Sequence, residues 1–418
     1  MKFLVVLIIA IQSLSVNANS AQVITPNDFT GSDIERIQAA INAAKKTTHK
    51  IVIPQRNSNG TNVWKIDSAI LLPSHITVIL DNCIIQLSDS SRDNMFRSDN
   101  VGIGITHPVW NYNISIVGVG DVLLRGANNP RSTGDAYRTL TLTPEKGRVS
   151  YGSDAGKNGR KQKGDWRNNL IQIAYVDGFI LKNVKIENSH AWAISFERTH
   201  NAEISDIRFN NPETILINGV QKKVYNKDGI NLRHGCKYFR INNITGINGD
   251  DLIALSSLDA APYYHTNGDV NSYQVTSTKW SGPEDDTEQV FITNCQTNYT
   301  GVAIRASDSA SIHHVYVNGV ITKARPDIPA PYGGSPYTLL VGGGGYGQAS
   351  IPGKINNIFA MNLMGDGKSL ILIESPIINC QFMNGIYTGT AQDPVVYKID
   401  KTKIKNVGAV NLVKVSED

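Results

Sequence analysis

The 418-residue chain is poor in several features that would point to the commoner function classes. Its net charge is only +4, too small to mark a nucleic-acid binder. It has four cysteines, Cys83, Cys236, Cys295 and Cys380, all far apart in sequence. No CxxC or other close-ligand spacing exists among them, so neither a metal site nor any other cofactor is expected. Three of the four follow an asparagine inside an apolar run (Asn82-Cys83, Asn294-Cys295, Asn379-Cys380) and read as small buried core residues rather than disulfide partners. Aromatic residues make up only 7% of the chain, and long amphipathic helical patterns are scarce.

The apolar run at the start, Phe3 to Ile11, is too short to span a bilayer, so membrane insertion is not expected. Met1-Lys2, that run, and a polar stretch with small residues at Ala18 and Ala21 have the order of a cleavable signal peptide over residues 1–21. The expected location is therefore secreted or periplasmic.

What the chain does have is 36 glycines, abundant asparagine and 41% hydrophobic residues, which suits many short strands joined by tight turns. One helix is predicted near the start: Ser32 and Glu35 form a capping box, and Ile34, Ile37, Ile41 and Ala44 fall on one face. Such a helix can close the open end of a strand stack. After Ile51-Val52-Ile53-Pro54 the pattern is strand after strand. Residues 22–418 are read as a single domain, with residues 22–54 as its N-terminal capping region.

The repeats decide the fold class. Apolar runs with asparagine recur at Ile180–Val184, Ile204–Ile207, Phe239–Ile244, Val290–Asn294, Ile312–Val315, Ile355–Ile358 and Ile377–Asn379, several of them 21 to 24 residues apart. Short strands at such a period signal a solenoid of roughly ten turns. A second series, Ile194–Glu197, Ile230–Arg233, Ile253–Ser256 and Val302–Arg305, alternates apolar and polar positions. Stacking these strands puts Arg233, Ser256 and Arg305 in one outward column. The prediction is an all-β, single-stranded right-handed parallel β-helix with a short N-terminal capping helix. A basic stretch from Lys146 to Arg167 interrupts the rhythm and reads as an inserted loop, either simply solvated or a collar that attracts an anionic polymer.

Asn226-Lys227-Asp228-Gly229 is followed, 22 residues on, by Gly249-Asp250-Asp251, and each segment leads into a strand of the second series. One solenoid turn then brings three carboxyl groups onto neighbouring rungs. Glycosidic hydrolysis needs such a group: one acid to protonate the leaving oxygen and one carboxylate to activate water. Crowding of like charges raises the pKa of at least one member. Asp250 is expected to be protonated and Asp228 and Asp251 ionised, with one carboxyl pair about 6.5 to 9.5 Å apart to admit a water.

From about Trp166 to Ser257 the chain resembles the polygalacturonases of glycoside hydrolase family 28, within the pectin lyase-like β-helix superfamily. The likeness rests on Asn188-Ser189-His190-Ala191-Trp192, Asn226-Lys227-Asp228-Gly229 and Gly249-Asp250-Asp251-Leu252-Ile253-Ala254-Leu255. It implies an inverting hydrolase of an acidic, pectin-like polysaccharide; the chain is also expected to be secreted and to act as a monomer. Asp250 would be the general acid, Asp228 and Asp251 would position and activate water, and Asn226 would contact substrate. Thr300 stands where the family has a histidine, and Lys368 alone stands for its Arg-Ile-Lys motif. Arg233 and Arg305 are therefore expected, with Lys368, to bind a substrate carboxylate. Two other readings stay open: a pectate-lyase-like β-eliminase whose aspartates bind calcium, and a non-catalytic glycan-binding β-helix.

Overall fold

The computed structural model describes residues 23–128, 169–258, 280–324, 336–342 and 350–416, less positions 90, 92, 103, 104, 106, 190, 218, 219, 224–226 and 308, together with the short pairs 138–139 and 161–162. The expected signal peptide, Asn226 and most of the basic stretch 146–167 lie outside the described residues.

The chain folds as a right-handed parallel β-helix, with 22 strands in one coiled sheet. One stack climbs through Lys50–Ile53, Thr77–Asp81, Asn111–Val119 and Ile171–Glu187, and continues to Ile377–Tyr387 and Ile404–Lys414. A second runs from Ile70–Leu72 through Ile194–Asn211, Ile230–Leu232, Ile253–Ser257 and Val302–Ala306 to Val395–Tyr397. The strand pairs in both stacks are parallel. Two short antiparallel pairs stand apart, one of them Thr214–Ile217 with Val220–Lys223, on either side of Asn218-Gly219.

Asparagine recurs because it makes the corners. Asn294, Asn357, Asn362, Asn379, Asn384, Asn406 and Asn411 all have φ between 53° and 56° or, at Asn406, 50°. This left-handed region costs most L-residues energy and is tolerated by asparagine. Each such residue turns the chain so that its successor points inward, which is why Cys295, Cys380, Ile358 and Leu363 are buried. The amides also stack from rung to rung, with Asn406 Nδ2 donating to Asn379 Oδ1 at 2.8 Å and Asn362 Nδ2 to Asn318 Oδ1 at 2.8 Å. All four cysteines are free and buried, as expected, and burial pushes the thiols of Cys83 and Cys295 up to about 12.

The core is a set of ladders of like residues. Ile194, Ile230, Ile253 and Val302 occupy equivalent positions on successive turns, as do Phe196, Leu232, Leu255 and Ile304, and all are buried. The predicted helix, Asp33–Ala44, buries Ile37, Ala40, Ile41 and Ala44 against the first turn. Its capping box forms, with the Ser32 amide donating to Glu35 Oε2 at 2.7 Å, and that bond holds the Glu35 carboxyl below its ordinary pKa. Among the described residues no helix is long and apolar enough to cross a membrane.

The corner argument yields a direct test. Asn379→Val forces a β-branched side chain into the left-handed region and should cost about 1–2 kcal/mol in strain, beyond the lost amide bond. Asn379→Gly loses the bond but not the backbone freedom and should be clearly milder. Denaturant midpoints of the two variants make the comparison, and equal losses would contradict the role given to the corner conformation.

Candidate active site

Parallel pairing places the three aspartates. Gly229 N donates to Asp251 O at 2.9 Å, and Leu252 N donates to Thr300 O at 2.8 Å. Asp228, Asp251 and Thr300 therefore hold equivalent positions on successive rungs, each just before an inward-facing strand, with Asp250 one residue earlier. Glycine after Asp228 is a packing requirement: a Cβ at Gly229 would lie 2.6 Å from Leu252 O and 2.9 Å from a Phe209 ring carbon. The Asp-Gly pair thus marks a close approach between rungs rather than a loose turn.

The carboxylates converge as the sequence implied. Oxygens of Asp228, Asp250 and Asp251 all lie within 4.8 Å of one another. Asp228 and Asp251 are buried, at 5% and 3% exposure, and Asp250 is half-buried. Asn231 Nδ2, on the strand Ile230–Leu232, donates to Asp228 Oδ2 at 2.7 Å, just before that strand, a contact that sequence reading did not identify. The Asp251 amide donates to Asp250 Oδ1 at 3.1 Å. Arg305, one rung above Asp251, sends Nη1 to Asp251 Oδ2 in a buried ion pair.

Burial, then the neighbouring Asp251, raises the Asp250 carboxyl to about 7. It accordingly carries a proton through mildly acidic pH, as expected. Asp228 departs from expectation. The sequence pattern predicts an ionised state, but burial and the charges of Asp250 and Asp251 raise its carboxyl well above the usual range despite Arg305 and the Asn231 bond. Depth in the protein outweighs one amide donor. One oxygen from each of the three carboxyls lies within 4.8 Å of one from each of the others.

The remaining predicted residues are distributed differently. Arg233, Ser256 and Arg305 do form one outward column. Arg233 is buried, with its guanidinium 4.9 Å from the centroid of the Trp192 ring, on the side of Asp228 away from Arg305. Lys368 is exposed. It precedes the strand Ser369–Ile373, three rungs beyond the aspartates, roughly 14 Å at the usual spacing.

Further groups surround the site that the sequence did not single out. Lys227 is fully buried, its Nζ has no hydrogen-bond partner among the described residues, and burial lowers it to about 7. Below the arginine column, Arg198 bridges Glu197 and Asp285 at 2.6 Å each. His234, also buried, is held neutral, its pKa pushed down to about 3 by burial and by Arg233 and Arg198. The only sequence signal for this network was the polar residue at each outward strand end.

Residues 146–279 match the family model described as glycosyl hydrolases family 28. The matched stretch contains all three aspartates and stops before Thr300, Arg305 and Lys368. Among curated proteins none matches the chain. Solved structures share the fold at low identity. An endo-xylogalacturonan hydrolase from Aspergillus tubingensis is 14% identical with a TM-score of 0.55, over 94% of this chain and 93% of that one. A hyperthermoactive exopolygalacturonase from Thermotoga maritima is 13% identical with a TM-score of 0.51, over 94% and 92%. A tailspike protein mutant of E. coli bacteriophage HK620, in complex with a pentasaccharide, is 10% identical with a TM-score of 0.59, over 94% and 67%.

The raised carboxyls have a consequence for stability. Asp228 and Asp250 bind protons more tightly folded than unfolded, so folding stability should fall as pH rises from the ordinary carboxyl range through about 7. Asp250→Asn should flatten that slope and leave the protein more stable than the parent at pH 8. Denaturation at pH 5 and pH 8 measures both slopes, and a parent whose stability rises over this interval would contradict the assignment.

Proposed function

We propose that this protein is a secreted inverting glycoside hydrolase, polygalacturonase-like, that cleaves an acidic, pectin-like polysaccharide. The observation that carries the reading is the cluster of Asp228, Asp250 and Asp251, their oxygens within 4.8 Å of one another, on the outward side of a parallel β-helix. The match to glycosyl hydrolases family 28 over the aspartates supports the reaction class. The names of the two microbial hydrolases above support an acidic pectic substrate.

On this reading Asp250, protonated and the most exposed of the three, donates its proton to the leaving glycosidic oxygen as that bond breaks. Asp251, ion-paired to Arg305, takes a proton from the attacking water as the new bond to the anomeric carbon forms. Asp228, fixed by Asn231, orients that water. Solvent then returns Asp250 and Asp251 to their starting states. Inversion rests on the likeness to family 28. Asn226, Arg233, Arg305 and Lys368 are proposed to contact substrate, with Arg305 doing so from its place on Asp251 and Lys368 reaching only a sugar several subsites away. The proposal includes export by residues 1–21, a single domain over residues 22–418 and a monomeric state.

The calcium-dependent eliminase is the weaker reading because of Arg305. Its guanidinium already pairs with Asp251 inside the cluster, so a divalent cation there would face a fixed positive charge at close range.

Asp250→Asn should reduce glycan cleavage at least about a hundredfold while preserving most binding. Reducing-end release from polygalacturonan and related acidic glycans measures it, and near-parental turnover would remove Asp250 as the acid. Because the reaction needs Asp250 protonated, the parent's rate should also decline as pH rises through about 7. A rate that climbs across that range would contradict the same assignment.

A further inference from the structure

We propose that Glu288, His313 and His314 form a binding site for a divalent transition-metal ion of the zinc class, between the strand that precedes Val302–Ala306 in the chain and the strand that follows it. Glu288 and His313 face each other across the paired strands Thr287–Thr297 and Ile312–Thr322. Ligand atoms of all three residues lie within 4.8 Å of one another. His313 Nδ1 is 2.7 Å from His314 Nδ1 and 3.7 Å from Glu288 Oε2. Two imidazole nitrogens and a carboxylate oxygen are a donor set that suits zinc, nickel or copper better than calcium or magnesium.

The surroundings orient the rings as a metal site requires. His313 Nε2 lies 3.3 Å from Asp286 Oδ2, and Trp280 Nε1 donates to Asp286 Oδ1 at 2.7 Å. A ring proton on the Asp286 side leaves the lone pair of His313 on Nδ1, the arrangement in which an outer carboxylate fixes a ligating histidine. The Asn357 amide stands 3.2 Å from His314 Nε2. In the metal-free state one proton shared between the two Nδ1 atoms satisfies the pair. The ion takes that proton's place; the proton passes to Nε2 of His314, and Asn357 turns its carbonyl oxygen to accept it. Asp286 and Glu288 bring two carboxylates to the site, where Lys237 bonds the other Glu288 oxygen at 2.9 Å and Lys354 lies over the Trp280 ring.

His314 takes φ 55° at a corner whose equivalents hold Gln289, at 56°, on the preceding rung and Asn357, Asn379 and Asn406 on the following ones. The ion would tie two rungs together.

The test is calorimetric titration of the full mature chain with Zn2+, with the Co2+ absorption spectrum as a second readout of nitrogen ligation. One ion per chain is expected. His314→Asn, which supplies the residue used on neighbouring rungs, should weaken binding at least about tenfold with the metal-free melting temperature unchanged. His313→Gln should weaken it similarly, and decides the matter if the first variant does not fold. Asp250→Asn, in the separate carboxylate cluster, should bind as the parent does. No Zn2+ binding by the parent, or affinity retained in both histidine variants, would overturn the site.

Discussion

Parallel pairing at a fixed rung spacing of about 4.8 Å is the constraint on which this structure depends. It obliges residues at equivalent positions of successive turns to become neighbours, whatever their chemistry. Where those residues are apolar, the result is a ladder such as Ile194, Ile230, Ile253 and Val302. Where they are corner asparagines, amides bond along the axis. Where they are Asp228 and Asp251, two carboxyl groups are driven together with Asp250 beside them, at a cost that the rest of the fold must offset.

That cost is what makes the cluster chemically useful. Carboxylates withdrawn from water and set against one another hold protons at pH values where free ones do not. Arg305 offsets part of the repulsion, and because it arrives from the next rung it does so at Asp251 rather than equally at all three. The result is asymmetric: an ion-paired carboxylate, a deep proton-holding one, and a more exposed acid at the surface of the cluster. Three identical side chains acquire different roles from their positions alone.

The fold was legible because a solenoid writes its period into the sequence. Apolar–asparagine runs near every 22 residues mark corners, and corner residues have a conformational reason to be conserved in type along the chain. The convergence of Asp228, Asp250 and Asp251 followed from the same period. What sequence could not supply was depth. Burial lifted Asp228 when an ionised state was expected, and it turned Arg305 inward to Asp251 when a free substrate-binding cation was expected. Burial also lowered the Lys227 amine beside the site to about 7. The contact of Asn231 with Asp228 depends on a side chain reaching back to a residue just before its own strand, and no spacing rule announces it.

The central claim is that this carboxylate cluster adds water to a glycosidic bond. The mass of the products formed from an acidic pectic glycan tests it most directly. The account predicts saturated oligosaccharides, with one water added per cut. Unsaturated products lacking that water, or intact polymer after prolonged incubation, would contradict it.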